Sequence, residues 1–241
     1  MPPPDSVSAG PRKALLVSPP LEEYARTLRA FVGLGAHLEA KGFSVARWSS
    51  AERRVDRSEE LVVAELGASV AEALHRSGGE SPAVVGLRFG AYLAIRALAQ
   101  GHAARAVLWE PVTDPRQYVR ELVRVALANQ LTTYGTVRFS AEMLLDEARR
   151  TGYFLVDGYR LSQASLDDLE KAPEVTPESV ADSRQSLSLI FWRSKRTFER
   201  WRDSGFDAVF LPTVRLAWDN IRFFDSNPVA LYDATLERLQ R

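Results

Sequence analysis

Val84-Val85-Gly86-Leu87-Arg88-Phe89-Gly90-Ala91 passes from a short apolar run into a helix-forming stretch, with two glycines four residues apart at the junction. Gly-x-x-x-Gly at a strand-to-helix turn is the frame of the nucleophile elbow, Gly-x-Ser-x-Gly. The turn is so tight that side chains at the flanking positions would collide with the strand and the helix, which only glycine avoids. The central residue then projects from a helix N-terminus. Here it is Arg88, whose guanidinium stays protonated and serves neither as nucleophile nor as general base.

Outward from this turn, strands and helices alternate. Ala14–Val17, Phe43–Trp48, Ala83–Leu87 and Ala106–Trp109 read as buried strands. Leu21–Lys41, Glu59–Arg76 and Phe89–Gln100 show helical spacing between them,. That rhythm predicts a mostly parallel sheet with right-handed crossovers and helices on both faces. After Pro111 the rhythm changes. Pro115–Leu131 and Ser140–Arg150 read as helices, Tyr153–Leu161 as a strand-like piece and Ser165–Lys171 as a short helix. Strand Ser186–Trp192, helix Thr197–Ser204, strand Ala208–Leu211 and helix Val229–Gln240 then restore the sheet rhythm. The expected organisation is a disordered lead-in over 1–11 and a single domain over 12–241. A helical insertion, or lid, spans about residues 112–180.

The chain has 241 residues with Lys plus Arg and Asp plus Glu both at 31, enough for one sizeable core. The basic excess of a nucleic-acid binder is missing, and no nucleic-acid partner is expected. There is no cysteine, which removes thiol catalysis, disulfides and thiolate-bound zinc. No segment reaches the roughly 20 apolar residues of a membrane span. The N-terminus has no secretory pattern, and the reading is cytoplasmic. No metal motif appears, and the turn at Gly86 has neither the phosphate-loop nor the dinucleotide glycine pattern. No metal or cofactor is therefore expected.

The histidines argue separately from the elbow. A triad in the order Ser, acid, His places its histidine after the last strand. His37, His75 and His102 all lie in the first half, and Pro212–Asn220 contains none. Nucleophile and base are both absent where the fold needs them.

The sequence resembles the α/β-hydrolase-like proteins known as exosortase A system-associated hydrolases. Ser18-Pro19-Pro20-Leu21-Glu22-Glu23 is similar to that family's segment after the first strand, and Gly86-Leu87-Arg88-Phe89-Gly90-Ala91 to its Gly-Leu-Arg-Leu-Gly-Ala turn. Leu108-Trp109-Glu110-Pro111-Val112 with Tyr118-Val119-Arg120-Glu121-Leu122, and Gly158-Tyr159-Arg160-Leu161-Ser162, carry the rest. Ser49–Arg54 stands where the family has a Gly-Asp-Ser-like loop. The resemblance implies an α/β-hydrolase fold.

The candidate ligand-binding residues are Arg88, Phe89, Ser18, Pro20, Glu110 and Trp218. Arg88 stands at the carboxyl end of a central strand, where open α/β sheets bind ligands. A cation at a helix N-terminus calls for an anion, which is either a bidentate acidic ligand or an internal pair with Glu110. Arg88 and Glu110 are also the candidate catalytic residues, Glu110 as a lone base. Ser18 and the acids Glu22 and Glu23 read as helix-capping groups. Trp218 and Asp219 fall where a triad histidine would be. Tyr118, Tyr134, Tyr153 and Tyr159 line a lid cavity or pack the insertion. Phe191, Trp192, Trp201, Phe223 and Phe224 are core or the surface of a homodimer. The functional expectation is a catalytically degenerate protein, not a conventional serine hydrolase. It would bind an acidic, acyl or peptide ligand in an accessory or biosynthetic role. The alternatives are an isomerase, epimerase, cyclase or lyase on the same fold and, last, a hydrolase with a relocated serine.

Overall fold

A computed structural model describes residues 12–50, 58–59, 61–78, 82–216 and 228–241. Expectations for residues 1–11, Trp218, Asp219, Phe223 and Phe224 lie outside the described residues. Six strands form one parallel sheet: β1 (Arg12–Val17), β2 (Phe43–Trp48), β4 (Ala83–Leu87), β5 (Arg105–Trp109), β8 (Leu187–Phe191) and β9 (Asp207–Phe210). Their order is β2-β1-β4-β5-β8-β9, every pairing parallel. The central strands β4, β5 and β8 are almost continuously apolar and buried, as strands covered on both faces must be.

Two hydrophobic layers provide that cover. On one face, Phe31, Leu34 and Leu38 of α1 (Leu21–Glu39) and Leu231 and Tyr232 of α8 (Val229–Gln240) pack on Leu16, Val85 and Trp109. On the other lie Val70 and Leu74 of α2 (Val63–Ser77), Tyr92 and Ile95 of α3 (Phe89–Ala99) and Trp201 of α7 (Lys195–Asp203). Trp109 is fully buried, and its indole N–H donates to Thr235 Oγ1 at 2.9 Å. Phe191, Trp192 and Trp201 are buried too, so these aromatics are core and not a dimer surface.

Between β5 and β8 in sequence come α4 (Pro115–Tyr134), α5 (Ala141–Thr151), β6 (Tyr153–Val156), β7 (Tyr159–Ser162), α6 (Gln163–Lys171) and a 3-10 helix, Glu178–Ser183. None joins the main sheet. Pro115 stands at the first turn of α4, behind Asp114, whose side chain accepts from the Arg116 N–H, a proline-first capped start. The strand-like piece is a hairpin. Asp157 (φ 49°) and Gly158 (φ 82°) are both left-handed, as a two-residue hairpin turn requires. β7 also pairs in parallel with the two-residue β3 (Ser58–Glu59). Glu59 is therefore strand, not the start of a helix. α2 begins later, at Val63, whose N–H donates to Asp168 of α6 at 2.7 Å, a cap supplied from 105 residues away and invisible to local periodicity.

Candidate functional site

The two glycines of the turn are required by close approach. A Cβ on Gly90 would stand 2.3 Å from the Val17 carbonyl oxygen, and one on Gly86 would stand 2.5 Å from the Ala91 Cα. Between them Arg88 holds φ 54°, ψ −119°, a conformation that costs a residue with a Cβ about 1–3 kcal/mol. Backbone hydrogen bonds hold it there: the Arg88 N–H donates to Trp109 O at 3.0 Å, and its carbonyl accepts from Ala91 and Val112.

The Arg88 side chain enters a cavity of about 330 Å³ at the carboxyl ends of β1, β4 and β5. The anions beside it are Glu23 of α1 and Glu121 of α4. Arg88 Nε lies 3.3 Å from Glu23 Oε1, and its Nη2 meets Glu121 Oε2. Tyr118, also on α4, donates its hydroxyl to Glu23 at 3.4 Å. The expected Arg88–Glu110 pair does not form. Glu110 is only 2% exposed, and its Oε1 instead accepts the backbone N–H groups of Trp192, at 2.6 Å, Arg193 and Ser194, at 3.1 Å. It closes the loop after β8 and still borders the cavity. Arg26, Arg124, Asp157 and Arg193 complete the charged lining, and Arg26 lies 3.6 Å from Asp157.

Burial sets the protonation here. It holds the Glu23 carboxyl above its ordinary value, outweighing the pull of Arg88 in the other direction, and neighbouring Glu121 adds to the rise,. Burial alone would lower the Arg88 pKa, but Glu23 and Glu121 more than offset it and raise it. A carboxyl raised in the fold stabilises the protein fully below the 4.5 of a free glutamate, and that contribution is lost as pH rises through the folded value,. Relative to Glu23→Gln, the native protein should therefore lose urea resistance as pH climbs from 4.5, with no such divergence below it. A stability difference that stays flat from pH 4 to 8 would refute the assignment.

Other expected site residues fall elsewhere. Phe89 is fully buried, stacked on Tyr92 and Tyr118 at 5.5 and 5.1 Å; it packs α3 onto α4 rather than facing a ligand. Ser18 does not cap α1. Its N–H donates to Trp48 O at 3.0 Å, extending the β1–β2 ladder, and buried Pro20 is the N-cap without a side-chain cap. Glu23 is likewise no cap, since it holds Arg88. Of the four tyrosines only Tyr118 reaches the cavity. Tyr134 and Tyr153 are exposed under Arg138 and Arg160, and Tyr159 packs against the core. None of the three histidines lines the cavity. No local rule points to Glu121 as a partner of Arg88, but the stretches carrying the resemblance contain Glu23, Arg88 and Glu121 in turn, and all three meet here.

No family model and no curated protein matches the sequence. Solved structures do match its shape. Est1E from Butyrivibrio proteoclasticus superposes with a TM-score of 0.58 at 12% identity, over 99% of this chain and 92% of its own. Polyneuridine aldehyde esterase follows at 0.55 and 14%, over 96% of this chain and 100% of its own. The chain has the α/β-hydrolase fold. A tomato methylketone synthase I variant shares it, at a TM-score of 0.51 and 12% identity, over 95% of this chain and 97% of its own. At such identities the likeness speaks for the fold, not for chemistry. Among the described residues no helix is long and apolar enough to cross a membrane, and no cluster of three potential metal ligands occurs.

Proposed function

We propose that this is a catalytically degenerate α/β-hydrolase-like protein, related to the exosortase-associated group by its turn, that binds a small acidic ligand in the cavity around Arg88. The observation carrying this reading is the placement of strain. Leu21, Arg88, Glu110 and Asp157 are the described non-glycine residues with left-handed φ, and all four line this cavity. Asp157 is ordinary in its hairpin turn, but the other three hold a costly backbone at the sheet edge, where strain accompanies function. Arg88 occupies the nucleophile's position and works as the keystone of an ion-pair cluster. The cavity volume is of small-ligand size. With Arg88 already matched by two carboxylates, an acid group on the ligand would meet Arg124 and Arg193 at the rim.

The absence of a charge-relay histidine and of a central serine argues against acyl-enzyme chemistry. Ser18 and Ser49 are both buried, which argues against a relocated nucleophile. Intact-mass measurement after a broad fluorophosphonate probe is expected to show no adduct, in the native protein and in Arg88→Ser alike. A stoichiometric adduct on either would refute the reading.

One observation favours a second reading, a non-hydrolytic enzyme. Glu23 combines a raised pKa, a guanidinium and a phenol within a cavity, the setting of a proton-transfer group. Under that reading Glu23, more than Glu110, moves the proton, and Glu23→Gln abolishes turnover without changing KM.

A further inference from the structure

A second concavity lies on the other side of α4. It is a groove of about 540 Å³ between α4 and α5, reaching α6 at Glu170. Arg116, Arg120 and Arg124 run along its edge at spacings of four, and the floor repeats the same spacing with Val119, Val123 and Leu127, faced by Leu145 of α5. Residues four apart lie on one side of a helix, so α4 presents a row of cations beside a row of apolar side chains.

That row is not balanced from within. Arg116 Nε donates to the Glu170 carbonyl at 2.9 Å. Arg120 and Arg124 have no ion-pair or hydrogen-bond partner among the described residues, and Glu170 is the one acid in the lining. In a chain whose formal net charge is zero, this is a concentrated positive strip. Like charges at this spacing destabilise a helix, so the arrangement is held at a cost that an anion would relieve. On α4 the apolar row continues past the groove to Leu131, four residues beyond Leu127 and 56% exposed,. An exposed apolar residue extending such a row beside a row of cations fits an interaction site.

We infer that this groove binds a single-chain anionic amphiphile, with the alkyl chain on Val123, Leu127 and Leu145 and the acid head against Arg120 and Arg124. Charge complementarity selects the head, because guanidinium binds carboxylate or phosphate bidentately. The shape selects the chain. The volume, about 540 Å³, is that of a small-ligand pocket, and its floor is apolar, as an alkyl chain requires,. The site is independent of the elbow. Arg120 borders the groove alone, Glu121 borders the cavity alone, and only Arg124 touches both.

The test titrates decanoate into the full chain at low salt by calorimetry, with decanol and acetate in parallel. Saturable binding of decanoate is expected, with decanol and acetate weaker by about tenfold or more. Arg120→Gln and Leu145→Asp should each weaken decanoate about tenfold. The thermal midpoint of Arg120→Gln should be unchanged or slightly raised, since Arg120 is exposed, has no partner among the described residues and stands between two like charges,. Binding lost in Arg193→Gln, a residue that borders the cavity alone, but kept in Arg120→Gln would move the ligand to the Arg88 cavity and overturn the groove. Binding to phosphatidylglycerol vesicles without binding of monomeric decanoate would overturn it in favour of a membrane surface. Absence of any binding would also overturn it.

Discussion

Arg88→Met is expected to destabilise the protein by about 3 kcal/mol at pH 7, because it strands two carboxylates in the cavity. Breaking a buried ion pair from one side costs about 3–5 kcal/mol. The lower end applies here, since the Glu23 and Glu121 side chains keep 21% and 32% of their exposure and water partly screens them. Methionine preserves the volume of the aliphatic stem, so little of the loss comes from packing. The cause is therefore testable by reversal. Adding Glu23→Gln to Arg88→Met should restore most of the stability, and the single variant's deficit should shrink as pH falls from 7 towards 4.5, because the carboxyl of Glu23, already raised in the fold, takes its proton above that value,. Urea unfolding at pH 4 and pH 7 reads both. Should Arg88→Met lie within about 0.5 kcal/mol of the native protein, the keystone role is wrong.

Glu110→Ala is expected to cost a similar amount, about 3 kcal/mol, for a different reason. One carboxylate oxygen satisfies three backbone N–H groups after β8. Deleting it leaves those donors without the partner that closes the loop, and hydrogen bonds to a charged acceptor contribute about 1.5–3 kcal/mol each, with little additivity among three on one oxygen. Glu110→Gln retains an acceptor and should lose about half as much. Amide hydrogen exchange at Trp192, Arg193 and Ser194 localises the effect: those amides should open first in the alanine variant. Protection unchanged at all three would show that Glu110 does not hold this loop.

What was legible in the sequence followed from short-range rules. The apolar runs of β1, β4, β5 and β8 and the helical spacing between them announced a parallel sheet, because burial on both faces leaves no polar alternation to hide it. The glycines at 86 and 90 announced a turn that no Cβ fits, and the structure puts backbone atoms where those Cβ atoms would go. Arg88 at the centre and the lack of any histidine beyond His102 needed only the residue types and their order. Where a local signal was present but read as one strand, as at Asp157-Gly158, the hairpin replaced it.

The partners were a different matter. Arg88 is the cation of the site by its position in the turn, but which anion answers it depends on elements 65 residues before it and 33 after it. Glu110 is the first acid after Arg88 in the chain, and it turns instead to amides 82 to 84 residues away. Local propensity acts over a few residues, whereas a buried charge takes whichever counter-charge or dipole the packed elements bring within about 3 Å. The amino-acid sequence by itself determined the α/β scaffold, the two-glycine turn with Arg88 at its centre, and a chain with no histidine beyond His102. Only the tertiary structure decided that Glu23 and Glu121 hold Arg88 and that Glu110 closes a loop, because those choices are made by the crossing of helices over the sheet edge.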